Sequence, residues 1–323
     1  MRAVRVGISL GDPGGIGPEI TVRALQALES AAMLPTVYGV PSAWRRAIEL
    51  CGGHDPLRNK GDFVSCDDAR EEEIPYGGPH PRAGLASLRC LQRATDALRA
   101  GEIDALCTAP LAKAAVKFHD ASFVGHTEFL QQAFGVPRVV MLMASPRLNV
   151  ALATTHVAIS EVPRRLTTDG LVEVASMVAR ELSTRFGLVS PRIALLGLNP
   201  HAGEHGAFGD EEGRVIVPAI AQLQATGIRA EGPFPADGLL PRIHEAGFDA
   251  VVAMYHDQGL IPFKMLAFHD GVNVTLGLPR PRTSPDHGTA YDIAGKGIAD
   301  ARSMQAALSL AVRLGSTSDA SRS

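Results

Sequence analysis

The segment Val4-Arg5-Val6-Gly7-Ile8-Ser9-Leu10-Gly11-Asp12-Pro13-Gly14-Gly15-Ile16-Gly17-Pro18-Glu19-Ile20 decides the fold class. Val4, Val6 and Ile8 alternate as a β-strand does, and the run stops at a glycine-rich turn. Pro18 then fits the first turn of a helix with apolar residues at Ile20, Val22 and Leu25. The same order recurs along the chain. Residues 36–40, 103–107, 148–155, 193–198 and 249–255 read as strands. Helices are expected over 85–100, ended by Gly101, from Thr167 or Thr168 as cap to Gly187, and over 215–223 and 303–314. Near-continuous apolar strands alternating with amphipathic helices predict an α/β fold whose mostly parallel sheet is covered on both faces.

Composition narrows the function class. A chain of 323 residues makes two domains or one large one. With 46% hydrophobic and 20% charged residues it is not a disordered chain. A net charge of -3 excludes a general nucleic-acid binder, and one Trp with 5% aromatics offers no stacking platform for single strands. No apolar run reaches the ~18 residues of a membrane span, and the N-terminus lacks the apolar core of a signal peptide. The cysteines (Cys51, Cys66, Cys90, Cys107) form no CxxC pair, so the expectation is a reduced, cytoplasmic protein. The acidic run Asp67, Asp68, Glu71, Glu72 and Glu73 reads as a solvated face, and the Ser-rich tail 315–323 as disordered.

Chemistry collects where strands end. Apolar runs stop at loops carrying Gly11–Glu19, TAPLAK (108–113), TTH (154–156), NPHAGE (199–204) and HDQGLIPFK (256–264). Ligands of open α/β sheets bind outside the carboxyl ends of the strands, so these groups are expected on one rim. His156, His201 and His256 come from three such ends. Each alone reads as a loop or core histidine; together they suit a divalent metal with an open position. The 11–19 loop reads equally as an anion cradle at a helix N-terminus or as a tight turn. At 125–128, Thr127 is expected to cap a helix whose N–H groups, with His126, suit a phosphate. Lys264, eight residues past His256, is a candidate acid or base, and Asp237 a candidate base or a turn residue. Arg280 and Arg282 are natural partners of carboxylate or phosphate.

Read together, GDPGGIGPEI (11–20), TAPLAK, GHTEFL (125–130), NPHAGE, YHDQGLIPFK (255–264), NVTLGLP (273–279) and RTSPDHGTAYDIAGKG (282–297) resemble the 4-hydroxythreonine-4-phosphate dehydrogenase family, in family order from Gly11 to Gly297. GIGPE and HGTAYDIAGKGIAD also resemble the wider isocitrate and isopropylmalate dehydrogenase fold. The resemblance implies two α/β/α domains with the active site in the cleft between them. One would be 1–125 with 275–323, carrying the dinucleotide loop, and the other 126–274, for metal, substrate and dimerisation. It implies His156, His201 and His256 as ligands of one divalent ion (Zn, Mg, Co or similar). His126, Thr127, Lys264, Asn273 and Arg282 become substrate-binding positions. Asp286, His287, Gly288, Thr289, Ala290 and Gly295 become the NAD or NADP loop, with Lys264 or Asp237 as catalytic base. A homodimer with an interface-borne active site is implied too. The expected reaction is oxidation of 4-phosphooxy-threonine to a 3-oxo acid that decarboxylates to 3-amino-2-oxopropyl phosphate, in pyridoxal 5'-phosphate biosynthesis. Paralogues acting on 4-phosphoerythronate, 4-phosphothreonate or an aromatic cis-dihydrodiol are the alternative. The chain departs from the family at Gly238, where PADG replaces the usual PADT, and at Arg280, a charge where apolar residues are usual.

Overall fold

The computed structural model describes residues 2–28, 32–66 and 74–317. The acidic run 67–73 and the last six residues of the tail lie outside the described residues. Eleven strands are described: β1 (Val4–Ser9), β2 (Met33–Gly39), β3 (Asp62–Ser65), β4 (Ala105–Thr108), β5 (Val140–Ala144), β6 (Asn149–Leu152), β7 (Arg192–Leu196), β8 (Arg229–Phe234), β9 (Ala250–Ala253), β10 (Val272–Leu276) and β11 (Arg282–Pro285). The chain divides into two compact units, 1–139 with 278–323, and 140–277. The divisions read from the sequence lay at 125/126 and 274/275. Helix His126–Phe134 belongs to the first unit because Leu130 packs with Tyr38, Leu98, Ile103 and Leu106.

In the first unit the strands run β3-β2-β1-β4-β11, all parallel, with Val6 facing Ala105 and Arg282 facing Leu106. Helix Pro81–Ala100 covers them. His80 Nδ1 accepts from the Arg82 N–H, Pro81 starts the first turn, and Gly101 ends the helix in the left-handed conformation at φ 77°. Truncating the fully buried Leu130 or Leu98 would cost about 2–5 kcal/mol.

In the second unit the order is β10-β5-β6-β9-β7-β8. β6, β9, β7 and β8 are parallel, whereas β5 runs antiparallel to both β10 and β6. Val150, Leu152, Ala194, Leu196, Val251, Ala253, Leu260 and Phe263 form its core. Helix Thr168–Thr184 starts at Thr167, whose Oγ1 accepts from the Gly170 N–H.

Two expectations need correction. Residues 256–264, read as a loop, lie in helix His256–Ala267 despite Pro262. Leu260, Phe263 and Ala267 are buried along it, and that packing outweighs the missing N–H of proline. The tail was expected to begin at Gly315, but helix Arg302–Thr317 runs through it because Leu314 and Gly315 are buried, Gly315 close against Val4 and Ala105.

Candidate functional site

Three strand ends of the second unit lie side by side. β6, β9 and β7 are adjacent and parallel, so their carboxyl ends share an edge. Thr154 Oγ1 donates to the Met254 carbonyl at 2.7 Å, tying the exit of β6 to that of β9. His156 and His256 follow directly, and their rings come to 5.9 Å between centroids. Both line a cleft of about 310 Å³ with Thr155, Val157, Tyr255 and Asp257. His256 Nδ1 is 2.7 Å from Asp257 Oδ1. That contact orients the ring, as a carboxylate does behind a metal-bound histidine, and directs Nε2 away from Asp257. Gln258 joins the third strand end: its Oε1 accepts from the Met254 N–H and its Nε2 donates to the Gly197 carbonyl, both at 2.7 Å.

His201 leaves β7 differently. Residues 201–205 all have positive φ, and the His201 ring lies 6.0 Å from Phe208. Among the described residues no group of three or more His, Cys, Asp or Glu is gathered for a metal. Within this chain the structure therefore pairs His156 with His256 and leaves His201 on the neighbouring strand end. The donor set, imidazoles with one carboxylate behind them, fits a borderline-soft divalent cation. Lys264 is half-buried two turns along the helix from His256, about 12 Å at 1.5 Å per residue. Asp237 is exposed in the short helix Ala236–Leu239, which packs on the His201 turn. Asn273 on β10 has a buried Oδ1 without a hydrogen-bond partner.

A cationic cluster forms in the first unit. Arg282 opens β11 beside β4, is 2% exposed, and donates from Nη2 to Thr108 Oγ1 at 2.6 Å. Burial lowers its guanidinium to about 10. His126 starts helix His126–Phe134, and its Nε2 is buried without a hydrogen-bond partner. Burial, then the Arg282 and Lys113 charges, hold its imidazole well below the usual histidine range, so it is neutral at pH 7. Thr127 is not the cap. The N-cap is Gly125, which has no side chain to close the first turn. Lys113 stands at the same end: a Cβ on Gly125 would lie 3.5 Å from its Nζ. The Glu128 carboxylate is at this end too, 3.1 Å from the same Cβ position, so the uncapped first turn has both a cation and a carboxylate beside it. The sequence signal for Lys113 is its place in TAPLAK, just past the end of β4.

The segment expected to bind the dinucleotide wraps the N-terminal loop. Asp286 N–H donates to Ser303 Oγ, and Thr289 offers its carbonyl to the Ile16 N–H, each at 3.0 Å. Tyr291 OH donates to Asp12 Oδ2 at 2.6 Å, and Glu19 Oε1 accepts from the Ala299 N–H. Gly15 admits this approach, since a Cβ there would sit 2.9 Å from the Thr289 carbonyl oxygen. His287 Nδ1 contacts the Gly288 carbonyl and its Nε2 is buried without a partner. Ala290 is left-handed at φ 42°, and Gly295 lies against Tyr76. In the 11–19 loop, the N–H groups of Asp12, Gly14, Gly15 and Ile16 are all bonded within the protein. Those four N–H groups serve as docking contacts for the loop.

The sequence matches the pyridoxal phosphate biosynthetic protein PdxA family over residues 31–311. A 4-hydroxythreonine-4-phosphate dehydrogenase from Erythrobacter litoralis is 45% identical over 317 residues, covering 94% of each chain. The crystal structure of 4-hydroxythreonine-4-phosphate dehydrogenase from Klebsiella pneumoniae is similar with TM-score 0.84 and 37% identity, over 97% of this chain and 98% of that one. A terephthalate 1,2-cis-dihydrodiol dehydrogenase from Burkholderia xenovorans is 31% identical with TM-score 0.67, over 97% and 98%.

Proposed function

Because the chain belongs to the PdxA family of pyridoxal phosphate biosynthetic proteins, we propose that it is an oxidoreductase that oxidises 4-phosphooxy-threonine to the 3-oxo acid, which decarboxylates to 3-amino-2-oxopropyl phosphate. The observation that carries the substrate class is the buried Arg282 with neutral His126 and Lys113 at an uncapped helix end. Such a cluster suits an anionic substrate and gains most from a compact, doubly charged phosphate. In this reading His126, Thr127 and Arg282 hold the phosphate, with Lys113 beside them. Asn273, whose buried Oδ1 lacks a donor, orients the polar end of the substrate. Lys264 or Asp237 takes the hydroxyl proton as hydride leaves.

His156, His201 and His256 hold a divalent cation (Zn, Mg, Co or similar), which when bound polarises the hydroxyl oxygen as a Lewis acid. Asp286, His287, Gly288, Thr289, Ala290 and Gly295 would hold NAD or NADP, which when bound would supply the hydride acceptor. In the same reading, 1–125 with 275–323 serve the dinucleotide, and 126–274 serve metal, substrate and dimerisation. A homodimer with an interface-borne site is supported by Ile261, Met265 and Phe268. They form one stripe on the helix that carries His256 and Lys264, and each is more than half exposed. Free thiols at all four cysteines and the absence of any membrane-length apolar helix among the described residues agree with cytoplasmic residence.

The test is a pair of steady-state titrations, following reduced nicotinamide with phosphorylated and dephosphorylated substrate, on wild type and Thr127→Val. A charge-assisted hydrogen bond contributes about 1.5–3 kcal/mol, so its loss lowers kcat/KM for the phosphorylated substrate about 10- to 150-fold. Activity on the dephosphorylated compound changes little. Equal losses on both substrates would remove Thr127 from the phosphate site. The similarity to a cis-dihydrodiol dehydrogenase makes that substrate class the second reading. A wild type that prefers an aromatic cis-dihydrodiol over the phosphate ester would establish it.

A further inference from the structure

The chain enters the His201 turn in an unfavourable backbone state. His201, Ala202, Gly203, Glu204 and His205 have φ of 53°, 51°, 79°, 40° and 55°. Left-handed geometry costs roughly 1–2 kcal/mol for each residue with a Cβ, and such runs persist only where the surroundings over-determine them. Two adjacent carboxylates hold the approach to this turn: Glu211 Oε2 accepts from Asn199 Nδ2 at 2.8 Å, and Glu212 makes the remaining contacts. Glu212 is 5% exposed, and its Oε1 accepts from the Leu198 N–H at 2.8 Å and the Asn199 N–H at 2.7 Å. Its Oε2 accepts from Asn199 Nδ2 at 3.0 Å. Gly203 lies directly over the same carboxylate, where a Cβ would come within 2.6 Å of Oε2. The Gly197 carbonyl just upstream is held by Gln258, two residues from His256. Residues 197–199 are thus pinned to the His256 helix on one side and to Glu212 on the other.

We propose that Glu212 is a positioning residue for His201: by gripping residues 198–199 and filling the space under Gly203, it holds the left-handed turn that presents the imidazole for metal binding. Glu212 itself touches neither metal nor substrate. The inference rests on the reading of His201 as a metal ligand. Replacing Glu212 by Gln keeps size and the Oε1 acceptor but turns an N–H₂ group toward the Asn199 amide. The turn then loosens, and His201 is no longer held for coordination.

The experiment is a Co²⁺ titration of chelator-treated protein, followed by isothermal calorimetry and by the visible d–d absorption. Wild type, His201→Ala, Glu212→Gln and Asn199→Ala are compared, with thermal unfolding of each metal-free form. The expected result is a 10- to 100-fold weaker Co²⁺ affinity in Glu212→Gln, the usual range for groups behind a metal ligand, with a changed band at saturation. Asn199→Ala, which loses one of the three donors, shows a smaller loss in the same direction. The metal-free forms unfold within a few degrees of wild type. If His201→Ala binds Co²⁺ as wild type does, the three-histidine reading fails and takes this inference with it. If His201→Ala loses Co²⁺ while Glu212→Gln keeps wild-type affinity and band, only the positioning role of Glu212 is overturned. Should Glu212→Gln not fold, wild-type affinity and band in Asn199→Ala overturn it equally.

Discussion

At His126 burial and two neighbouring cations act in the same direction, against the imidazolium. The folded protein therefore binds fewer protons there than the unfolded chain, whose histidine titrates at about 6.5. Stability rises with pH wherever the unfolded state holds more protons, so this site costs nothing above about pH 6.5 and destabilises progressively below it. We expect a loss of up to about 1.4 kcal/mol per pH unit on acidification from this one residue. Denaturant unfolding of wild type and His126→Gln across that range checks it; the variant should have the shallower acid slope, and identical slopes would refute the claim. Sequence reading placed His126, Thr127 and Arg282 but made Thr127 a cap. Whether the true N-cap is Gly125 depends on backbone angles that residue identity leaves open. Lys113 was missed because its partners come from positions near 125 and 282, remote in sequence.

Among elements, the 286–299 segment shows how a loop without regular structure is held. Asp12 is fully buried, and burial raises its carboxyl, partly offset by the hydrogen bond from Tyr291. Tyr291→Phe removes that donor from a buried acceptor, a loss of about 1–3 kcal/mol. If this segment binds the dinucleotide, the variant should raise KM for NAD or NADP several-fold while kcat at saturating dinucleotide stays near wild type. A fall in kcat with unchanged dinucleotide KM would contradict that role. The end of one helix at Gly101 and the start of another at Thr167 were legible in the sequence because those caps are local signals, whereas the first turn at Pro81 was missed and the helix read only from 85. Helix His256–Ala267 was not, because Pro262 breaks the local pattern and buried Phe263 restores the helix. β3, β5, β8 and β10 were missed as strands; β3 and β8 alternate too weakly between buried and exposed positions, and β10 pairs with a strand far away in the chain.

For the whole molecule, the exposed stripe Ile261, Met265 and Phe268 sets an assembly prediction. Large apolar side chains grouped on one face mark an interaction surface. Met265→Glu with Phe268→Glu should shift sedimentation from dimer to monomer and lower activity with it, while each isolated chain stays folded by circular dichroism. A double variant that remains a fully active dimer would place the interface elsewhere. The sequence by itself determined the α/β grammar, the strand ends on which His156, His201 and His256 sit, and the family, since periodicity, caps and contiguous motifs are written within a few residues of one another. Only the tertiary structure decided that His156 meets His256 through the Thr154–Met254 bond. It also decided that Glu212 grips the approach to the His201 turn and that the N–H groups of Asp12, Gly14, Gly15 and Ile16 bond within the protein. Such contacts join residues up to hundreds of positions apart, and a hydrogen bond of that kind leaves no periodic trace in either partner's neighbourhood.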